Sequence, residues 1–272
     1  SSWGGDYHRV LRERLDLLAR FIRDRFGCAT RYFADTGPLS DREAARRAGM
    51  GFIGKNSFLI NDEYGSFVFL GEILTDLYLE PDETADGECG DCSLCIKACP
   101  TGALCGPYTL NAKRCVSYLT QCRDVEFDDY PRIGKSIYGC DICQSVCPFN
   151  GTARNSTHRE FIPEKWNVNP DPLYILHIDN RGFNDTFGRT SSGWRGRKTL
   201  QRNALIALGN SGMDDAAGPI RDALKDIRPD IRKTAALGLY NLLGKSSFRI
   251  LEDGLAPEEY DHIRRIIEER KS

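Results

Sequence analysis

The chain has 272 residues, with 37 Lys and Arg against 39 Asp and Glu, for a net charge of −2. That length allows about two domains and a substantial buried core. The near-neutral balance excludes nucleic-acid binding by bulk charge and leaves only a local patch for that purpose.

No apolar run reaches the roughly eighteen residues that span a membrane, and no secretory signal is visible. The chain opens on Ser-Ser-Trp without a Met, which suggests a fragment of a longer protein. Residues 5–27, GDYHRVLRERLDLLARFIRDRFG, place Leu11, Leu15, Leu18 and Ile22 at helical spacing between charges. They predict an amphipathic helix closed by Gly27. Asp6-Tyr7-His8 groups three proton-handling side chains at its start; the plainer alternative is an N-cap Asp followed by ordinary helix residues. RYFADTGP reads as a short strand entering a turn, where Asp35 is either a catalytic carboxylate or an Asx-turn residue. Ser40 and Glu43 have capping-box spacing and open a helix over 41–48. In the next stretch Ser57–Ile60 and Phe67–Ile73 are rich in β-formers, and NDEYG between them predicts a hairpin. Gly49, Gly51 and Gly54 crowd around Phe52, with Lys55-Asn56 behind. Glycines at that density let a backbone approach a large flat ligand, or simply make a turn. The leading part is therefore mixed α/β.

Seven of the eleven cysteines sit in two tight runs. That clustering argues against the spread-out staples of a secreted domain and for metal in a reducing compartment. Cys89, Cys92, Cys95 and Cys99-Pro100 read C-x2-C-x2-C-x3-C-P, the run of two-cluster ferredoxins, whose fourth Cys ligates the other cluster. Three thiolates on a tight loop wrap three corners of one cubane. The fourth lies on the following turn, which the proline ends. Cys140, Cys143 and Cys147-Pro148 repeat the pattern without its first cysteine. Cys115 is the natural substitute, with Cys122 its competitor. Crossed ligation then gives Cys89, Cys92, Cys95 and Cys147 to one 4Fe–4S cluster, and Cys99, Cys115, Cys140 and Cys143 to the other. Cys28, Cys105 and Cys122 remain. Zinc also takes C-x2-C pairs, but wants two pairs rather than this run twice. Two cubanes form a wire, which needs a source and a sink.

After Asn150 cysteine vanishes, and the Pro-rich stretch 162–178 is expected to wrap across the surface. GRTSSGWRGRKTLQRN carries Arg189, Arg195, Arg197, Lys198 and Arg202 with no acid among them. This is either a solvated face or an anion-binding loop around Trp194. Residues 199–210 predict a helix with Leu200, Ala204, Leu205 and Leu208 on one face, and two more helices follow. Paired short helices of this kind resemble a HEAT-type repeat, which presents a surface to a macromolecule. A basic loop opening such a unit suits a nucleic-acid backbone.

Taken in order, DYH, ADTGP, AGMGFIGKNSFLIN, GSFVFLGEI, YGCDICQSVCPFN and RNALIALGN resemble the epoxyqueuosine reductase family. The resemblance covers nearly the whole chain. It implies a cobalamin-dependent, iron–sulfur-containing oxidoreductase that reduces the epoxide of epoxyqueuosine, at the tRNA wobble nucleotide, to the alkene of queuosine. Three segments follow from it: an α/β cobalamin-binding portion over 1–80, a ferredoxin-like α+β domain with two 4Fe–4S clusters over 81–155, and a linker with a HEAT-like α-helical tRNA-binding domain over 156–272. It also implies about a hundred further N-terminal residues, absent here. Gly51, Gly54, Lys55, Asn56 and Glu72 become corrinoid contacts, Asp35 the proton donor and Tyr7 an active-site tyrosine. The eight cysteines become cluster ligands, and Arg195, Arg197, Lys198 and Arg202 contacts to tRNA. As an acid near neutral pH, Asp35 would need its pKa raised by burial. The expected setting is a cytoplasmic monomer, away from membranes, reduced by a small ferredoxin or flavodoxin. Two rivals stand beside this reading: a corrinoid iron–sulfur reductase of another substrate, such as an organohalide, and a non-catalytic ferredoxin-type electron carrier. The HEAT-like tail disfavours the first, and the second needs no corrinoid.

Overall fold

The computed structural model describes residues 4–270; Ser1–Trp3, the opening on which the fragment reading rests, lie outside the described residues. In chain order the first elements are α1 (Tyr7–Phe26), β1 (Thr30–Phe33), α2 (Asp41–Arg47), β2 (Phe52–Ile53), β3 (Leu59–Ile60), β4 (Glu72–Thr75), α3 (Leu94–Ala98), β5 (Leu104–Gly106) and β6 (Thr109–Leu110). Helices follow: α4 (Val116–Leu119), α5 (Tyr130–Ile133), α6 (Ile142–Ser145), α7 (Lys165–Val168), α8 (Pro172–His177), α9 (Asn180–Asp185), α10 (Arg197–Gly209), α11 (Ala217–Asp222), α12 (Pro229–Leu243), α13 (Ser247–Gly254) and α14 (Pro257–Glu269). They form two compact units. One comprises the chain through Cys115 together with Asp141–Glu164; the other comprises Val116–Cys140 and the chain from Lys165 onward. The later part of the segment between the cysteine runs, from Val116, thus packs with the C-terminal helices.

In the first unit, α1 has the ends its sequence predicts. The Asp6 carboxylate accepts the His8 backbone N–H at 3.0 Å, an N-cap worth about 1 kcal/mol. At the other end Gly27, at φ +65°, donates its N–H to the Arg23 carbonyl. The helix lies against an antiparallel pair, β1 with β4, in which Thr30 faces Thr75 and Phe33 faces Glu72. A second pair joins β2 to β3, with Phe52 opposite Ile60, and a third joins β5 to β6.

Two local expectations fail here. Ser57–Ile60 and Phe67–Ile73 do not pair with each other. NDEYG does turn, with Asn61 Oδ1 accepting the N–H groups of Glu63 and Tyr64 at 3.0 Å. Immediately beyond it, the Ser66 N–H is drawn to Asn150 Oδ1 at 2.7 Å. That contact diverts the chain, and the two strands find other partners. The capping box also does not form. Ser40 occupies the N-cap without a side-chain bond, and Glu43 is claimed instead by Arg46 and Arg47 at 2.8–2.9 Å.

The second unit is helical. Helix α10 was expected to bury one face; residues 200–209 are buried all round. Leu200 and Ala204 join Ile175, Ile178, Phe183 and Phe187 in one cluster. Leu205, Ile206 and Leu208 join the larger cluster formed with α11–α14 and with Leu119, Phe127, Tyr130 and Ile133. Each such side chain contributes about 1.5–3 kcal/mol when fully buried, so α10 is the spine of this unit. Among the described residues, no helix is long and apolar enough to cross a membrane.

Candidate functional site

Asp35 follows β1 in the left-handed region, at φ +64°. A non-glycine residue pays for that conformation, and such positions cluster at functional loops. Its carboxylate Oδ2 lies 3.0 Å from His8 Nε2, and the other ring nitrogen, Nδ1, lies 2.8 Å from Asp6 Oδ1. The imidazole is therefore held between two carboxylates. Tyr7 stacks on the same imidazole, with ring centroids 4.0 Å apart, and on Phe69 at 4.4 Å. One expectation is corrected: the Asp35 side chain is not buried but 54% exposed. Its partner in any proton transfer is His8. The sequence grouped His8 with Asp6 and Tyr7 as proton-handling side chains, but its pairing with Asp35 across 27 positions leaves no local signal.

The β2–β3 hairpin carries Lys55 and Asn56 to the cysteine runs. The Lys55 backbone N–H points at Cys89 Sγ, 3.4 Å away. Its Nζ donates to the carbonyls of Gly90 and, at 3.1 Å, of Cys92. Asn56 is buried, and its Nδ2 reaches the Cys143 carbonyl at 3.5 Å. Around this anchor Cys89, Cys92, Cys95 and Cys147 line one open recess, together with Ile60, Leu94, Pro148 and Phe149. Burial pushes the Cys95 and Cys147 thiols up, and the neighbouring sulfurs add to the rise. Crowded thiols of this kind are stabilised as thiolates by a bound cation, and four soft donors around one recess fit an iron–sulfur body. Among the described residues no three Cys, His, Asp or Glu side chains converge on a single ion; a cubane asks instead for four thiolates, each on its own iron. The second run is braced by Ser66, whose Oγ donates to Gln144 Oε1 at 3.0 Å, and by Asn150, which bonds the Gln144 carbonyl at 2.7 Å.

Cys99 is placed differently. Burial works to raise its pKa, but N–H donors, among them that of Ala103 at 3.2 Å, outweigh burial and bring it below the usual range. Its sulfur is suited to be a thiolate ligand. Cys122 is not: burial pushes its thiol up, and the thiol lies 3.2 Å from the Leu119 carbonyl and 2.9 Å from that of Asp124.

Of the residues expected at a corrinoid, Gly51 is demanded by the hairpin backbone itself, while Gly54 lies close against side chains. A Cβ at Gly51 would sit 2.2 Å from the Ile60 carbonyl oxygen, and one at Gly54 would sit 2.5 Å from Ile60 Cδ1. Lys55 and Asn56 are committed to the cysteine loops. Glu72 is the member of the set with an open valence: its Oε1 is buried with no hydrogen-bond partner. Burial, followed by the adjacent Asp41 carboxylate, raises its pKa to about 7. A carboxyl that is partly protonated at neutral pH can both accept from and donate to the amide groups that fringe a corrin ring, so the donor chemistry fits at this atom.

Residues 1–36 match the family model described as Epoxyqueuosine reductase QueG, DUF1730. Residues 88–150 match the 4Fe-4S double cluster binding domain. The epoxyqueuosine reductase of Listeria monocytogenes is 44% identical over 262 residues, which is 95% of this chain and 69% of that protein. The chain belongs to the epoxyqueuosine reductase family. A crystal structure of an epoxyqueuosine reductase with a tRNA-Tyr epoxyqueuosine-modified stem loop matches it at 41% identity with a TM-score of 0.92, covering 100% of this chain and 74% of that one. A Bacillus subtilis epoxyqueuosine reductase with its catalytic aspartate loop swung out of the active site matches at 41% identity with a TM-score of 0.90, covering 98% and 73%.

In this reductase the basic lead-in to α10 is only partly open. Trp194 is 60% exposed. The Arg195 guanidinium lies over its ring, 4.4 Å from the centroid, and donates to the Gln121 carbonyl. Arg197 donates to the Ile178 carbonyl at 2.9 Å. Lys198 is exposed but pairs with Asp230 at 2.6 Å, and Arg189 pairs with Asp185 at 3.7 Å. Arg202 is corrected outright: it is 7% exposed. Its guanidinium donates to the carbonyls of Leu119, Thr120, Cys122 and Arg123 at 2.6–3.3 Å. Because α10 is enclosed on all sides, position 202 faces protein, and its charge serves the fold rather than a phosphate.

Proposed function

We propose that this chain reduces the epoxide of epoxyqueuosine in tRNA to the alkene of queuosine, using cobalamin replenished by two 4Fe–4S clusters. The observation that carries this reading is the match along the whole chain to a reductase solved with its modified stem loop. Residues 1–80 would contribute to the corrinoid site, 81–155 would hold the clusters and 156–272 would engage tRNA through HEAT-like helices. The setting is a cytoplasmic monomer reduced by a small ferredoxin or flavodoxin.

When bound, the corrinoid supplies low-potential electrons that no side chain can store, and the clusters restore them singly. The chain's own residues manage protons and position. Loss of the epoxide oxygen as water takes two electrons and two protons. Asp35 relays protons to the departing oxygen across its contact with His8 Nε2, 3.0 Å away. Asp6 at Nδ1 orients that imidazole. Tyr7 packs across the same ring. Glu72 Oε1 would meet an amide of the corrinoid, while Gly51 keeps the hairpin tightly closed, with Gly54 close against its side chains, and Lys55 and Asn56 fix it to the cysteine loops. Cys89, Cys92, Cys95 and Cys147 hold one cluster; Cys99, Cys115, Cys140 and Cys143 hold the other. The commitment of the Cys122 thiol to two carbonyls favours Cys115 as the detached ligand. Arg195, Arg197 and Lys198 contact phosphates and orient the stem loop without reading its sequence. Exposed Trp194 offers a face on which an unpaired nucleotide can stack.

The test is nucleoside mass spectrometry of epoxyqueuosine-containing tRNA incubated with the cobalamin-supplied protein and a low-potential reductant. Conversion to queuosine is expected. Asp35→Asn should keep its iron and cobalamin but lose about 10²–10⁴-fold in rate, the ordinary contribution of a positioned acid. Full turnover in that variant removes Asp35 from the role.

A further inference from the structure

We propose that Lys55 is a positioning and tuning residue for the cluster held by Cys89, Cys92, Cys95 and Cys147: it fixes the loop that carries three of the four sulfurs, and its charge raises that cluster's reduction potential. The inference rests on the cluster reading above. Three contacts converge from this one residue. Its backbone N–H meets Cys89 Sγ at 3.4 Å. Its ammonium holds the Gly90 and Cys92 carbonyls, the first just after Cys89 and the second on a ligand itself. It also lines the recess that the four sulfurs surround. The next residue, Asn56, is buried and bonds the Cys143 carbonyl, so the side chain is launched from a fixed backbone.

The physical consequence follows from charge. A cluster that gains an electron becomes more negative by one unit. A fixed positive charge beside it stabilises the reduced form more than the oxidised form, which moves the potential upward. Hydrogen bonds to ligand sulfur act in the same direction, by withdrawing electron density from the thiolates. Substituting the side chain removes the ammonium and leaves the backbone N–H···S contact in place, so the two contributions separate.

The experiment uses the full chain, reconstituted anaerobically with iron and sulfide. Iron content is measured first, followed by potentiometric titration monitored by electron paramagnetic resonance. The signal of this cluster is identified as the one lost in Cys95→Ser. Lys55→Met is expected to retain iron and to show a more negative midpoint potential, and Lys55→Arg to return it toward the wild-type value. Lys97→Met removes the same charge from an exposed position of α3 and should move the potential less. Full iron with an unmoved potential in Lys55→Met overturns the inference. Should Lys55→Met fail to assemble the cluster, Lys55→Gln and Lys55→Arg decide: a lower potential in the Gln variant supports the role of the charge, and equal potentials overturn it. A wild-type chain that takes up no iron at these four cysteines sinks the cluster reading itself, and the inference with it.

Discussion

A carboxyl that loses water and gains an acidic neighbour holds on to its proton, and Glu72 does both. Its pKa rises to about 7 from 4.5. It therefore binds a proton more tightly folded than unfolded, and protonation favours folding. That contribution is present below about pH 4.5 and is lost as the pH rises through about 7. The thermal midpoint of the wild type is expected to fall between about pH 5 and about pH 8, and Glu72→Gln to flatten the fall, because the amide cannot ionise. Parallel pH profiles in the two proteins would mean that the carboxyl is not held in this environment. Sequence reading singled out Glu72 by family likeness, but could not show its unpaired oxygen or its acidic neighbour. The acidic neighbour is Asp41, which α2 brings close across 31 positions. The same holds for His8 and Asp35: the residue types were legible, and the bond between them was not.

Elements defined by local periodicity were the most legible. Helix α1 begins at the Asp6 cap and ends at Gly27 as its spacing requires, because caps and 3.6-residue repeats are settled within a few residues. Strand pairing was not legible. Four short strands rich in the same residues can pair in several ways, and the choice was made by Asn150, far along the chain, capturing the Ser66 N–H. The burial of Arg202 was hidden for a similar reason, since a basic residue on a helix reads as solvent-facing until the helix is enclosed. The hairpin of β2 and β3 tests the packing side of this account. Gly51 lies at φ +151°, and a Cβ there would strike the Ile60 carbonyl oxygen. Gly51→Ala must strain the backbone and also part the strands, at an expected cost of about 2–4 kcal/mol. Gly27→Ala, at φ +65° with nothing near its Cβ, should cost only the left-handed penalty of about 1–2 kcal/mol. Urea unfolding of the two variants checks the order, and a milder effect at Gly51 would mean that the hairpin yields where the structure shows it closed.

Across the whole molecule, the cysteine runs were legible because cluster ligation imposes spacing at the level of a single loop. The same spacing predicts crossed ligation, with Cys147 completing the first set. In the first unit the recess lined by Cys89, Cys92 and Cys95 takes its fourth sulfur from Cys147, although Cys99 is nearer in sequence. Crossing of this kind ties two distant segments into one body, so loss of one ligand should be felt at the cluster and not at the run. Cys92→Ser and Cys147→Ser are therefore expected to lose the same paramagnetic signal and up to about half of the bound iron, whereas Cys99→Ser and Cys143→Ser lose the other signal. Iron analysis and electron paramagnetic resonance of the four reconstituted variants distinguish the arrangements. Were Cys147→Ser to abolish the signal that Cys143→Ser abolishes, each run would serve its own cluster, and the fourth sulfur seen in this recess would be a bystander.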